Sequence, residues 1–139
     1  MEAVYTASAT ATGDGRNGHV RSSDGVLDFD LAVPKEMGGP GGAQPNPEEL
    51  FAAGYAACFH GALKAVARSK KITLTDTAIT VDVGIGPNGQ GGFQLQATIE
   101  AELPSVDPAT ARELIDAAHQ VCPYSNATRG NIEVDMSLA

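Results

Sequence analysis

Positive charge is scarce in this chain. Of its 139 residues 9 are Lys or Arg against 17 Asp or Glu, for a net charge of −8. A surface of that sign repels phosphate backbones and anionic membrane surfaces, which argues against nucleic acid or a membrane as partner. No basic stripe or DNA-reading helix offsets it. Cysteine is scarcer still, with two in the chain, Cys58 and Cys122. The opening stretch MEAVYTASATATGDG lacks a basic region followed by an apolar core, so no secretory signal is read and the expected compartment is the cytoplasm. In that compartment two cysteines serve as reduced, catalytic or metal-binding groups more readily than as a permanent staple. Internal repeats and low-complexity tails are absent, and the length fits a single domain, residues 1–139, with a modest core.

What the chain does have is one long apolar stretch, Asn46 to Lys70, NPEELFAAGYAACFHGALKAVARSK. Asn46 is placed to cap a helix, Pro47 suits the first helical position, and Glu48 and Glu49 put negative charge at the positive end of the macrodipole. Asn46 and Glu49 also stand at capping-box spacing. From Leu50 to Leu63 no residue carries a formal charge, so every face looks apolar and the stretch reads as a buried core helix with Cys58 near its middle. It reads as too short, too rich in Ala and Gly, and too soon followed by Lys64, Arg68, Lys70 and Lys71, to make a convincing membrane span.

On either side the pattern is mostly of strands. Residues 3 to 12 are rich in Thr, Val and Tyr and read as a strand, closed by the turn cluster Gly13-Asp14-Gly15-Arg16-Asn17-Gly18, which presents Arg16 between strands. A short strand from His19 to Ser23 meets the hairpin signal Asp24-Gly25, after which Leu27, Phe29, Leu31 and Val33 alternate with Asp28 and Asp30. Pro34 to Pro45 is too rich in glycine and proline for regular structure and reads as a functional connection. Beyond the helix, Ile79 to Ile85 and Phe93 to Leu103 alternate around a Gly-rich turn as a long hairpin. A second helix starts near Asp107-Pro108 and sets Ala111, Leu114, Ile115, Ala118 and Cys122 on one face. Pro123 should end it at Cys122. A last strand runs from Ile132 to Leu138. Three strands, a helix, two strands, a helix and a strand make an α+β domain, an antiparallel sheet wrapped on a long central buried helix.

Both cysteines therefore lie on apolar helix faces and could reach one site. Simple burial is one reading, since free cysteine behaves as a small hydrophobe. A metal is a weaker one: Cys58 and His60, two apart on a helix, diverge by about 200°, although His119 and Cys122 at i, i+3 could share an ion. His119 is expected to pack and hydrogen-bond rather than ligate, and His19 to lie on a strand surface. Thiol redox chemistry needs a thiolate favoured by a cation or hydrogen-bond donors, and a second thiol to rescue the oxidised first. Among the few cations Arg16, on its turn, is the best placed to supply the charge.

Several stretches then stand together: Thr10-Ala11-Thr12-Gly13, Ser22-Ser23-Asp24, Pro34 to Gly39, NPEELFAAGY from Asn46 to Tyr55, Ala57-Cys58-Phe59, and VCPYSNATRGN from Val121 to Asn131. Over nearly the whole chain they resemble the organic hydroperoxide resistance (Ohr) branch of the Ohr/OsmC proteins. The resemblance implies an OsmC-like fold, an intertwined homodimer with two sites at its interface, and a cysteine-based peroxidase. By position it implies Cys58 as peroxidatic cysteine, Cys122 as resolving cysteine, Arg16 as the activating arginine and Glu48 as its partner. It also implies organic hydroperoxides, fatty-acid ones included, as substrates, and no bound cofactor or metal. The external dithiol would be a lipoylated protein or dihydrolipoamide. The turn reads TGDGRNG where the family pattern is closer to TGGRDG, which makes Asp14 the inserted residue, and His60 stands where the family usually carries an aliphatic side chain.

Helix geometry adds one step. Glu48 and Cys58 are ten residues apart, about 15 Å along a helix axis, so a Glu48–Arg16 pair acting on the Cys58 sulfur should come from the partner subunit. The competing class of function is non-enzymatic, a thiol redox sensor or a small-molecule binding module of the same fold.

Overall fold

The computed structural model describes all 139 residues, and the chain divides into two compact units, Met1–Leu50 and Phe51–Ala139. The first unit carries a three-stranded antiparallel sheet in the order β1 (Ala9–Thr12), β2 (His19–Ser22), β3 (Asp28–Asp30). These strands are shorter than their sequence pattern suggests. β2 opens after Gly18 and closes at Ser22; just past it the Ser23 amide donates to the Ser8 carbonyl at 2.8 Å, and the pairing goes no further toward residues 3 to 7. Past Asp30 the backbone finds other acceptors: the Leu31 amide donates to the Gly18 carbonyl, Ala32 to the Pro45 carbonyl and Val33 to the Asn17 side chain. The alternation thus continues as a buried Leu31 without a ladder. His19 lies on the face of β2 as expected, its ring nitrogens against Asp28 at 2.5 Å and Asp30 at 2.7 Å. Between β1 and β2 a 3-10 turn, Gly15–Asn17, presents Arg16.

Helix α1 runs from Pro47 to Ser69. Its start is the one the residues dictate: the Glu49 amide donates to Asn46 Oδ1 at 2.8 Å, and Asn46 Nδ2 donates to the Glu49 carboxylate at 3.0 Å. The helix is not buried on every face. Tyr55, Phe59, Leu63 and Ala67, one residue per turn, form its buried stripe, while Ala53, Ala57, Gly61 and Ala65 on another flank are exposed. Absence of charge marks where a helix tolerates burial; which side is covered depends on the elements packed against it. By length and composition the helix could cross a membrane, with 22% of its most apolar window buried.

In the second unit β4 (Ala78–Pro87) and β5 (Phe93–Glu102) form the expected long hairpin, paired from Ala78–Glu102 to Pro87–Phe93. Helix α2 (Pro108–Val121) is capped by Asp107, whose carboxylate accepts the Thr110 amide at 2.7 Å, and buries Ala111, Leu114, Ile115 and Ala118. A six-residue helix, α3 (Pro123–Thr128), follows a single non-helical residue, Cys122. Strand β6 (Val134–Leu138) then joins β5 in parallel. The α+β class stands, but the sheet β4-β5-β6 is mixed where alternation alone suggested an antiparallel one. The helical crossover α2–α3 brings the chain back to the end of the sheet from which β5 started, and a strand entering there can only run parallel.

The core of this unit joins the α1 stripe to Val81, Ala97, Ile99, Leu103, Leu114 and Ile115, with Cys122 fully enclosed and Cys58 partly so. Leu114 is wholly buried. Its truncation, Leu114→Ala, should destabilise the fold by about 2–5 kcal/mol, read as a lower urea midpoint at unchanged slope; a loss under half a kcal/mol would contradict the packing described here.

Candidate functional site

The four residues singled out from sequence form two pairs, one in each unit. In the first, Arg16 lies on the turn between β1 and β2 and Glu48 in the opening turn of α1. The guanidinium donates from Nη1 to one Glu48 oxygen at 3.0 Å and from Nη2 to the other at 2.9 Å, a bidentate fork. The Glu48 side chain is 12% exposed and that of Arg16 42%, so the pair is shielded on one side only. These two hydrogen bonds, donated by Arg16 and accepted by Glu48, hold the Glu48 carboxyl below its ordinary pKa and Arg16 above its own.

In the second unit Cys58, on α1, and Cys122, at the α2–α3 junction, are free thiols with their sulfurs 3.5 Å apart. Pro123 explains where the second thiol sits. It cannot continue α2, Cys122 adopts an extended conformation (φ −64°, ψ 123°), and the same residue ends one helix and opens the next. The sulfurs need approach by only about 1.5 Å to reach a bond of about 2.0 Å.

Electrostatics within this unit do not favour the thiolate. Burial pushes the Cys58 thiol up, and the neighbouring Cys122 adds to the effect; the backbone N–H of Tyr124, in the first turn of α3, opposes them. That amide is the one local group that stabilises the anion, and α3 holds it in place. Tyr124 packs in an aromatic cluster with Phe51 and Tyr55, ring centroids 5.7 to 6.2 Å apart. A side chain at Gly54 would come within 2.8 Å of the Tyr124 hydroxyl, so this position must stay bare for the ring to lie where it does.

The sequence patterns did not reveal a buried polar chain behind the thiols. The Tyr55 hydroxyl lies 2.8 Å from Ser125 Oγ and 3.2 Å from Thr128 Oγ1, and His119 Nδ1 lies 2.8 Å from Ser125 Oγ. Arg129 donates to the His119 carbonyl, one of those left open at the end of α2. The signal for it was spacing: His119 and Ser125 stand three residues either side of Cys122, and Tyr55 three before Cys58. His119 does pack and hydrogen-bond, and His60 lies with Nε2 2.8 Å from Thr77 Oγ1.

An α+β unit that holds two free thiols a bond's reach apart, one partly open and one enclosed, defines a dithiol protein. The chain belongs to the Ohr/OsmC family: the family model for OsmC-like proteins matches residues 39–137. The organic hydroperoxide resistance protein of Xanthomonas axonopodis pv. citri is 55% identical over 98% of this chain and 95% of its own length. Among solved structures, an organic hydroperoxide resistance protein from Elizabethkingia anophelis superposes with a TM-score of 0.95 at 53% identity, covering 100% of this chain and 99% of the other. OhrB of Bacillus subtilis gives 0.89 at 46% identity, covering 99% and 100%.

The Arg16–Glu48 fork has a consequence in pH. A carboxyl whose pKa is depressed in the folded state contributes stability above its unfolded pKa, lost as pH falls through the folded value. Carboxyl-carbon NMR titration should place Glu48 below the ordinary glutamate range in the wild type and return it to that range in Arg16→Ala. An unchanged titration in the variant would deny the fork.

Proposed function

We propose that this protein is a thiol-dependent peroxidase that reduces organic hydroperoxides, those of fatty acids included, to alcohols. The observation that carries the reading is the 3.5 Å separation of two free thiols, Cys58 and Cys122, in a largely apolar setting. The names of the relatives, organic hydroperoxide resistance proteins, support the substrate class. An apolar surround gives an organic R group binding energy that hydrogen peroxide cannot draw on.

The Cys58 thiolate attacks the outer oxygen of ROOH. The O–O bond breaks, the alkoxide leaves and takes up a proton as ROH, and Cys58 becomes a sulfenic acid. The Cys122 sulfur then attacks that of Cys58; the S–S bond forms, the S–O bond breaks and water departs. An external dithiol, a lipoylated protein or dihydrolipoamide, reduces the disulfide, so the protein needs no bound cofactor. Because burial disfavours the Cys58 anion, a cation must act on it, and Arg16 fills that role by stabilising the thiolate and the charge that develops on the peroxide oxygens, with Glu48 fixing the guanidinium.

The working unit is a homodimer in the cytoplasm. One support for the dimer is the exposed flank of α1, where Ala53, Ala57, Gly61 and Ala65 recur every fourth residue and allow a second helix to approach closely. A second is the length of α1: Glu48 and Cys58 lie about 15 Å apart along one helix, so the Arg16–Glu48 pair reaches the thiol from the partner subunit.

Cys58→Ser should abolish steady-state consumption of cumene hydroperoxide with dihydrolipoamide. Cys122→Ser should permit one oxidation and then accumulate sulfenic acid or higher oxides. Wild-type protein given one equivalent of peroxide should show a Cys58–Cys122 disulfide within one chain by peptide mass spectrometry. Equal residual turnover in both variants, or links between chains only, would overturn these roles; peroxide oxidation without dithiol-driven turnover would favour a redox sensor.

The shared site is tested by mixing two inactive proteins, Cys58→Ser and Arg16→Ala. After verified subunit exchange each heterodimer carries one site with no substitution, and activity should return toward about a quarter of the wild-type level, from half-abundant heterodimers with one good site in two. No recovery would place Arg16 and Cys58 of a functional site in the same chain.

A further inference from the structure

Every hydroxyl in the buried chain behind the thiols has one proton to give, so the directions of its hydrogen bonds can be counted. Thr128 donates to the Ser125 carbonyl at 3.1 Å, which uses its proton. When all four contacts of the chain are made at once, the contact of Thr128 with Tyr55 is a donation by the Tyr55 hydroxyl, and the Tyr55–Ser125 contact a donation by Ser125. Ser125 Oγ is left to accept from His119, which requires the proton on Nδ1. The chain runs one way: His119 Nδ1–H to Ser125, Ser125 to Tyr55, Tyr55 to Thr128, Thr128 to the backbone. No buried side-chain polar atom is left without a partner.

The placement of this chain relative to the cysteines gives it a task. Cys122 is the single non-helical residue between α2 and α3, so the position of its sulfur depends on the angle between those helices. The bond from His119 to Ser125 spans that angle, and the bond from Ser125 to Tyr55 ties it to α1 one turn from Cys58. Ser125 and Tyr55 are both wholly buried, where water cannot replace a lost partner.

We propose that His119, Ser125 and Tyr55 are positioning residues for disulfide closure: their one-way hydrogen-bond chain holds Cys122 in attacking range of Cys58, and His119 acts in it as an Nδ1–H donor. The inference rests on the proposed thiol peroxidase reading and concerns its second step. A near-attack sulfur loses rate steeply when it is displaced, whereas the first step, attack on peroxide, involves only Cys58 and the groups that activate it.

The test uses the full-length reduced protein, cumene hydroperoxide, rapid mixing and acid quench, with mass spectrometry separating thiol, sulfenic acid and disulfide. Ser125→Ala and His119→Ala should close the disulfide about ten- to a hundredfold more slowly while Cys58 is oxidised at nearly the wild-type rate. His119→Asn, whose amide N–H can stand in for Nδ1–H, should recover most of the loss. Failure of wild-type protein to form the Cys58–Cys122 disulfide would overturn the peroxidase reading and this inference together. Normal closure in the wild type with equally fast closure in His119→Ala, or His119→Asn as slow as His119→Ala, would overturn the inference alone. Nitrogen NMR of the wild-type imidazole checks the chain without any substitution: neutral His119 should carry its proton on Nδ1, and a bare Nδ1 would refute the donor order.

Discussion

Pro123 is the constraint from which the thiol site follows. A proline has no amide to extend α2 and disfavours helical geometry in the residue before it, so the helix gives way at Cys122 and restarts at once as α3. One residue thereby becomes the end of one helix and the start of another, and it is the residue that carries the second sulfur. The restart matters as much as the break. It brings the Tyr124 amide to Cys58, buries Ser125 against Tyr55, and places Arg129 against the open carbonyl of His119. Without the break Cys122 would be one more side chain on the buried face of α2, packed beside Ala118 and Leu114.

Packing and reactivity pull against each other at Cys58. The apolar stripe of α1 that stabilises the second unit also withdraws the sulfur from water, and burial favours the neutral thiol. A single backbone amide does not reverse that. The Arg16–Glu48 fork has the complementary property: a cation held rigid by a bidentate carboxylate, with the arginine still partly open. A free arginine would spend its charge on solvent and lose side-chain entropy whenever it was ordered; one already ordered by Glu48 acts on a neighbouring anion at little further cost. Each pair has what the other lacks, and this complementarity of charge supports the proposal that Arg16 of one subunit acts on Cys58 of another.

Much of this was legible in the residues because it is local. The Asn46 cap, the Pro47 start, the five-residue apolar face ending in Cys122 and the stop at Pro123 each follow from geometry within a few positions, and each is where it should be. Arg16 on its turn and the long β4–β5 hairpin were legible for the same reason. The misses are of another kind. The parallel entry of β6 is set by the crossover before it, which strand alternation does not encode. Helix α3, six residues long, is too short to show a helical period. The uncharged face of α1 was legible, but its exposed Ala53–Ala65 flank was not, since identical alanines serve a buried or an open side.

The polar chain was invisible for a deeper reason. Serine, threonine, tyrosine and histidine are common on surfaces, and nothing in the order His119, Ser125, Thr128 announces that three of the four groups in the chain are buried. Burial changes what they do. In water each hydroxyl would exchange partners freely, and either imidazole nitrogen could carry the proton. Enclosed, with one proton per hydroxyl and one carbonyl to end on, the groups make all four contacts together only in the proposed order, which would reach back to select the Nδ1–H tautomer of His119. A network with one solution resists distortion more than a set of contacts with several, because any displacement breaks a bond that no alternative arrangement restores. On the proposed reading, in which a disulfide forms between the two sulfurs and reopens in each cycle, such a network supplies a frame that is stiff in the helices that carry the sulfurs.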